Sequence, residues 1–217
     1  MTIKKLKDCI QSAHINFLFG SGLSRPYLST LGQIETFMAL SGKHTDKDER
    51  KLIIASLYAL YFNSVMRPCL PSHYVGNADY DTVLGNYKEF LTIWNELLAA
   101  RKSSLLEKSV NIFSTNIDDF VETASEITGI EFNDGFKGHF NPMFKEDSFS
   151  NVVSRISPLY QNTAQIPVFN YLKIHGSINW IQASDKLNIC LGSALSTVKK
   201  IGVEFDKVPD SFISIDF

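Results

Sequence analysis

The sequence has no closely spaced pair of cysteines. Its three cysteines, Cys9, Cys69 and Cys190, are isolated from one another. A structural zinc site needs about four closely arranged Cys or His ligands, typically in C-x-x-C pairs, so we expect no metal site. An odd number of isolated cysteines favours a reducing compartment over a disulfide framework. We therefore expect a cytoplasmic protein.

Strong net charge and long apolar runs are also lacking. The formal net charge is −2 at pH 7, which predicts neither a nucleic-acid nor a membrane partner. No run approaches the roughly 20 apolar residues of a membrane span, and residues 1–8 lack the apolar core of a signal peptide. What is present is 44% hydrophobic residues, with 16 Phe and 8 Tyr, enough to fill a packed interior.

Helical periodicity is clearest in the first half of the chain. Apolar residues at three- and four-residue steps predict helices over 46–66 and from Tyr80 to about Arg101, the second capped by Asp79. A shorter amphipathic helix is expected up to about Ser12. The proline-containing segment 67–77 between the two long helices is expected to be a mobile flap.

The first candidate site follows an apolar run, residues 15–19, that predicts a buried strand. The run stops at small residues whose backbone a phosphate can approach. A plain strand-to-turn connection is the alternative. Arg25 stands where the dinucleotide fingerprint has its third glycine, and it either pairs with a phosphate or is a solvated cation. The candidate phosphate-binding residues are Gly20, Ser21, Gly22 and Ser24.

The second candidate site follows a predicted strand at 110–113. Five polar residues lead from it into an amphipathic helix: Ser114, Thr115, Asn116, Asp118 and Asp119. One such residue is enough to cap the helix, so their number favours a binding site over a cap alone.

The third candidate site is His175, after a strand that ends near Ile174 and before Gly176. The carboxyl end of a strand in an open α/β sheet is where such folds bind ligands. A histidine can transfer protons near neutral pH, although a structural role for His175 is the alternative. The separation of 59 positions between Asn116 and His175 leaves room for a helix and a strand, so that both side chains can reach one crevice.

Together the three segments resemble the Sir2 (sirtuin-like) family in order and spacing over roughly residues 10–182. The matching motifs are Gly20-Ser-Gly-Leu-Ser24, Thr115-Asn-Ile-Asp118, Asn133-Asp-Gly-Phe136 and Leu172-Lys-Ile-His-Gly-Ser177 with Asn179-Trp180. Ser21 replaces the usual Ala. Thr115 replaces the Gln of the protein deacetylases, as in bacterial NAD-cleaving members. The missing four-cysteine zinc module also disfavours protein deacylation.

The resemblance implies an α/β, Rossmann-like fold with a mostly parallel sheet, helices on both faces and a helical insertion. We expect a single Sir2-like domain over 1–217, with its core at about 10–28 and 105–217 and the insertion at about 29–104. Only 37 residues follow Trp180. They suggest a hairpin around 187–191, a possible ribose loop at Gly192-Ser193 and an apolar tail from Ser211. We therefore expect truncation at the C-terminus, with a reduced family member as the alternative.

The resemblance implies an NAD+ glycohydrolase, expected to deplete NAD+ in bacterial antiphage defence. His175 would be the base and Asn116 would orient the ribose or water. Asp118 would accept from the nicotinamide carboxamide. Gly20, Ser21, Gly22 and Ser24 would hold the pyrophosphate, and Thr115 would belong to the same NAD+ site. The alternatives are a non-catalytic NAD or ADP-ribose binding module that regulates an effector and, less favoured, a protein deacylase or ADP-ribosyltransferase. Because the long helices carry many apolar residues, we also expect a homo-oligomer, docking of these helices on a missing C-terminal region, or a partner effector.

Overall fold

The computed structural model describes residues 2–30, 32–43, 46–102, 106–183, 186–189 and 195–207. The chain is a mixed α/β protein that divides into two compact units. The first unit is Met1–Gly20 with Leu84–Cys190, and the second is Ser21–Val83 with Leu191–Phe217. These boundaries differ from the predicted core and insertion. Much of the second long helix groups with the sheet, and the C-terminal residues group with the helices.

The first unit contains a four-stranded parallel sheet in the order β1-β2-β8-β3. Its strands are β1 (Ile15–Phe19), β2 (Ser109–Ser114), β3 (Phe132–Asn133) and β8 (Val168–Lys173). The predicted parallel sheet is thus confirmed, and the strands predicted from the apolar runs are present. Short apolar runs bounded by glycine or polar residues suit strands buried in a parallel sheet.

One face of this sheet carries the apolar core of the first unit. Phe17 on β1 packs edge-on against Phe90 and Trp94 of helix α5 (Ala78–Ala99), with ring centroids 5.0 and 4.8 Å apart. Tyr87 of α5 stacks on Phe120, at a centroid distance of 5.5 Å. Phe120 begins helix α6 (Phe120–Thr128). The aromatic residues of α5 are therefore core packing, as their periodicity suggested.

The opposite face carries a row of four asparagines, one from each strand: Asn16, Asn111, Asn170 and Asn133. They are register partners, and their amides form a continuous chain of hydrogen bonds. Asn133 donates to Asn170 at 3.1 Å, Asn170 to Asn111 at 3.0 Å, and Asn111 to Asn16 at 2.9 Å. We call this row the asparagine ladder. It lets a polar row cross the sheet with its amide groups paired.

Two smaller antiparallel sheets complete the first unit. The first has the order β4-β5-β10-β9, and its strands are β4 (Phe136–Lys137), β5 (Met143–Phe144), β9 (Trp180–Ala183) and β10 (Lys186–Ile189). The second is the pair β6 (Ser154–Ile156) and β7 (Thr163–Gln165). Strands β9 and β10 pair as an antiparallel hairpin, and the predicted hairpin around 187–191 overlaps its second strand. Residues 190 and 191 of that prediction lie outside the described residues. The N-terminal helix α1 (Ile3–Ser12) ends where predicted.

The second unit is helical where it is described. It contains α2 (Gly32–Ser41), α3 (Lys47–Tyr61), α4 (Pro71–Tyr74) and α7 (Ser196–Phe205), and α5 begins in it. The predicted helix over 46–66 changes at Phe62 into a π-helical turn that ends at Met66. The start of α5 is capped by Asn77, whose side chain accepts from the backbone N–H groups of Asp79 and Tyr80. The predicted Asp79 cap was therefore wrong.

The predicted flap at 67–77 is folded into helical turns. Arg67 donates to the carbonyl of Gly202 at 3.0 Å and pairs with Asp206 at 2.7 Å, which ties this segment to the end of α7. Cys69 and Leu70 are buried. The prediction of a mobile flap was therefore wrong, because the segment forms helical turns that contact α7.

One described helical stretch, Lys47–Cys69, is long and apolar enough to cross a membrane by length and composition alone, and 28% of the tested window is buried. Core helices pass the same test, so this finding is weak evidence for a membrane span. Gly192-Ser193, the tail from Ser211 and Cys190 lie outside the described residues.

Candidate functional site at the carboxyl edge of the sheet

The ends of β1, β2 and β8 lie side by side at one edge of the parallel sheet. Phe19 is the register partner of Ser114, and Ser114 is the register partner of Lys173. One residue beyond Phe19 comes Gly20. Two residues beyond Ser114 and Lys173 come Asn116 and His175. The three sequence motifs thus leave the sheet at neighbouring strand ends, the position where open α/β sheets bind ligands.

Hydrogen bonds join the loop after β2 to the end of β1. The backbone N–H of Thr115 donates to the carbonyl of Phe19 at 3.0 Å, and its hydroxyl donates to the same oxygen at 3.3 Å. The side-chain amide of Asn116 donates to the carbonyl of Gly20 at 3.1 Å. Asn116 is nearly fully buried, so this contact fixes its side chain between the two motifs.

The turn that carries His175 is joined to the same loop by backbone bonds. Ile174 N–H donates to the carbonyl of Ser114 at 2.8 Å, and Ile178 N–H donates to that of Ile117 at 2.9 Å. Gly176 has φ of +80°, a conformation that favours glycine, which explains its place after His175. The imidazole of His175 itself is exposed, so the side chain is accessible.

The glycine-containing loop lies at a boundary between the two units. Gly20 belongs to the first unit, whereas Ser21, Gly22 and Ser24 belong to the second, where they form a short 3-10 helix with Ser24 buried. A Cβ at Gly22 would meet no described atom within 4 Å, and one at Gly20 would meet only Thr115 Oγ1, at 4.0 Å. Packing against the described atoms therefore does not require a glycine at position 20.

Asp118 is 3% exposed, and its Oδ1 accepts from the N–H of Phe120 at 3.4 Å. This contact holds the carboxylate of Asp118 against the first turn of α6, whose N-cap position is Asp119 and carries no side-chain cap bond. A ligand that used Asp118 would share its carboxylate with the N–H of Phe120.

Sequence reasoning missed Lys173, which lies at the centre of this edge. Its ammonium is 2.6 Å from Glu122 Oε1 of α6 and 2.6 Å from the hydroxyl of Ser177, and it also donates to the carbonyl of Asp118. The Lys173 side chain is 1% exposed. The sequence did contain one indication of its burial: Lys173 lies two and four residues after the buried Tyr171 and Phe169 of β8, and alternate residues of a strand point to the same face.

The acidic groups around Lys173 have altered proton affinities. Burial raises the pKa of Glu122 from 4.5 to about 7, against the opposing effect of Lys173. Burial likewise raises the pKa of Asp119, again opposed by Lys173. Burial, and secondly the charge of Glu122, raise the pKa of Tyr171 well above its ordinary value. Perturbed groups of this kind concentrate at functional sites.

Beside this edge lies a cavity of about 280 Å³. Most of its lining is aromatic or aliphatic. Asp134 contributes one carboxylate, and burial raises the pKa of this group. Gly135 has φ of +86° and lets the rings of Phe144 and Phe149 come close to the backbone. The apolar lining consists mainly of Phe113, Phe144, Phe149, Leu172, Ile174 and Trp180.

No protein-family model matches the chain, and no curated protein matches it. Among the described residues, no group of three or more His, Cys, Asp or Glu side chains is placed to hold a metal ion.

Proposed function

We propose that the chain is a Rossmann-like, Sir2-related domain that cleaves the nicotinamide–ribose bond of NAD+. The observation that carries the proposal is the adjacency of β1, β2 and β8, which brings Gly20, Asn116 and His175 to one edge of the sheet. These are the positions to which the family resemblance assigns pyrophosphate binding, ribose orientation and proton removal. The open surroundings of Gly20, where an added Cβ would meet only Thr115 Oγ1 at 4.0 Å, support the first of these roles.

The proposed chemistry needs few catalytic groups. Most glycosidases use a carboxylic acid to protonate the oxygen of the leaving group. In NAD+ the nicotinamide is bound to ribose as a cationic pyridinium and departs as a neutral molecule, so its departure needs no general acid. His175, which is exposed, would take a proton from water or a ribose hydroxyl. Asn116, held by Gly20, offers an amide that both donates and accepts and would orient the reacting group.

The test is to incubate the protein with NAD+ and follow nicotinamide and ADP-ribose by chromatography. Replacing either His175 or Asn116 by Ala should reduce cleavage by at least about 100-fold, since positioned proton-transfer groups contribute about 10²–10⁴-fold. His139→Ala is the matched control, because His139 is an exposed histidine of the same unit, and it should retain full activity.

Other outcomes would identify other functions. Wild type that binds NAD+ but releases no nicotinamide would be a binding module that regulates an effector. Release that requires an acylated peptide would indicate a deacylase, and transfer of ADP-ribose to an acceptor would indicate a transferase. Loss of NAD+ from bacterial cells that produce the active protein would support the proposed role in antiphage defence.

Assembly with a second copy or an effector protein is part of the proposal. It is supported by the large apolar side chains that α3 exposes, among them Leu52 and Tyr58. Sedimentation of the protein as a monomer at all concentrations would count against self-association.

A further inference from the structure

We infer that Lys173 is a positioning residue that clamps the loop carrying Asn116 to the turn carrying His175. The inference rests on the proposed function for its catalytic consequence, but the clamp itself can be tested without it. Lys173 ends β8, two residues before His175. Its ammonium donates to the carbonyl of Asp118 on one side and to the hydroxyl of Ser177 on the other.

Ser177 and Ile178 extend the connection. The hydroxyl of Ser177 donates to the carbonyl of Ile117 at 3.3 Å, and Ile178 N–H donates to the same carbonyl at 2.9 Å. A single side chain thus contacts both segments at the point where they already share backbone bonds. If the ammonium is removed, the loop and the turn remain joined only through neutral hydrogen bonds, which are individually weaker than charge-assisted ones.

The charges around Lys173 explain why a lysine can be buried here. Glu122 of α6 is the direct partner of the ammonium at 2.6 Å and supplies its counter-charge when ionised. Asp119, the N-cap residue of α6, also interacts electrostatically with the ammonium, and the ring of Tyr171 lies 5.6 Å from it. A buried charge is retained only when it is paired and hydrogen-bonded. A lysine that served only the pair with Glu122 would not need to reach both loops.

The experiment measures backbone hydrogen exchange in Lys173→Met, which keeps a long apolar side chain and removes the ammonium. The N–H of Ile178 should exchange roughly tenfold faster or more, because hydrogen bonds to charged groups are the stronger kind. The N–H of Phe169, which donates to Glu131 at 3.0 Å within the sheet, should be unchanged. Lys108→Met is the matched control, since Lys108 donates to the carbonyl of Ala99 at 2.7 Å in the same unit.

Catalysis provides the second readout. In a protein that cleaves NAD+, Lys173→Met should lower kcat and leave KM nearly unchanged, because it disturbs the relative placement of two catalytic groups rather than ligand binding. Unchanged exchange at Ile178 would overturn the clamp, and so would equal acceleration at Phe169, which would show general destabilisation. Unchanged kcat would overturn the positioning role.

Two further outcomes are distinguishable. If wild type has no NAD+ cleavage, the proposed function fails, whereas the exchange data still decide the clamp. If Lys173→Met does not fold, Ser177→Ala removes one of the two loop contacts and keeps the pair with Glu122. It should accelerate exchange at Ile178 and leave Phe169 unchanged, and the absence of this effect would overturn the clamp.

Discussion

Ser114 and Lys173 are register partners at the ends of β2 and β8, and each lies two residues before a candidate catalytic residue. Ser114 also accepts from Ile174 N–H through its carbonyl, and from Asn116 N–H through its hydroxyl, at 2.8 and 3.1 Å. The parallel pairing therefore determines the relative placement of Asn116 and His175 before any ligand is bound. Such preorganisation is what positional catalysis requires.

The two candidate catalytic residues should differ in their effect on stability. His175 is exposed, so His175→Ala should change the free energy of unfolding by less than about 0.5 kcal/mol. Asn116 is buried and loses its hydrogen bond to Gly20 in Asn116→Ala, which should cost about 1 kcal/mol. Urea denaturation of both variants checks this. Marked destabilisation by His175→Ala would indicate a structural histidine instead.

The asparagine ladder predicts a larger effect at its centre. Asn170→Ala removes the bonds to Asn133 and Asn111 and leaves a buried amide of Asn133 without that acceptor. Lost bonds and unsatisfied groups together should cost about 2–4 kcal/mol in urea denaturation. Asn151→Ala is the control, because Asn151 is exposed in the same unit. Equal stability of the two variants would mean that the ladder contributes nothing.

The strands and the polar residues at their ends could be predicted from the sequence, but the contacts that depend on the register between strands could not. Apolar runs that stop at Gly20, Ser114 and Ile174 sufficed to predict three parallel strands and one shared edge. The asparagine ladder was not predicted because a single asparagine among apolar residues is common within one strand. Only the register between strands shows that the four asparagines are neighbours. The role of Lys173 was not predicted for a similar reason, since its partners come from α6 and from two loops.

Helix ends were predicted less well than helix existence. Asp79 is of a residue type that caps helices, but the side chain of Asn77 is the one that accepts from the first free N–H groups of α5. The segment at 67–77 was expected to be a flap because of its prolines. Its contacts come from α7, more than 100 residues later in the chain, which local pattern cannot reveal.

Gly135→Ala should be more disruptive than the equivalent change at another left-handed glycine. A Cβ at Gly135 would lie 2.5 Å from the ring of Phe144 and 2.9 Å from that of Phe149, whereas at Gly129 it would meet no described atom within 4 Å. Both changes bear the backbone cost of about 1–2 kcal/mol. Only Gly135→Ala should add about 1–3 kcal/mol for overpacking. Equal melting temperatures would show that the aromatic rings move aside without cost.

The pH dependence of stability should show the buried carboxyl of Glu122. Burial raises its pKa from 4.5 to about 7 in the folded protein, so between these values the folded state holds a proton that the unfolded state releases. By linkage, this group makes the free energy of unfolding fall as the pH rises from about 4.5 to about 7, with no further change above that. Glu122→Gln cannot ionise and should lack this slope.

The measurement is urea denaturation of wild type and Glu122→Gln at about pH 5 and about pH 7.5. Each unit of pKa shift corresponds to about 1.4 kcal/mol, so wild type should lose about 2 kcal/mol relative to the variant across this range. Glu126→Gln, an exposed glutamate on the same helix, is the matched control and should parallel wild type. Parallel curves for Glu122→Gln and wild type would mean that Lys173 fully offsets the burial of Glu122 and keeps the carboxylate ionised throughout.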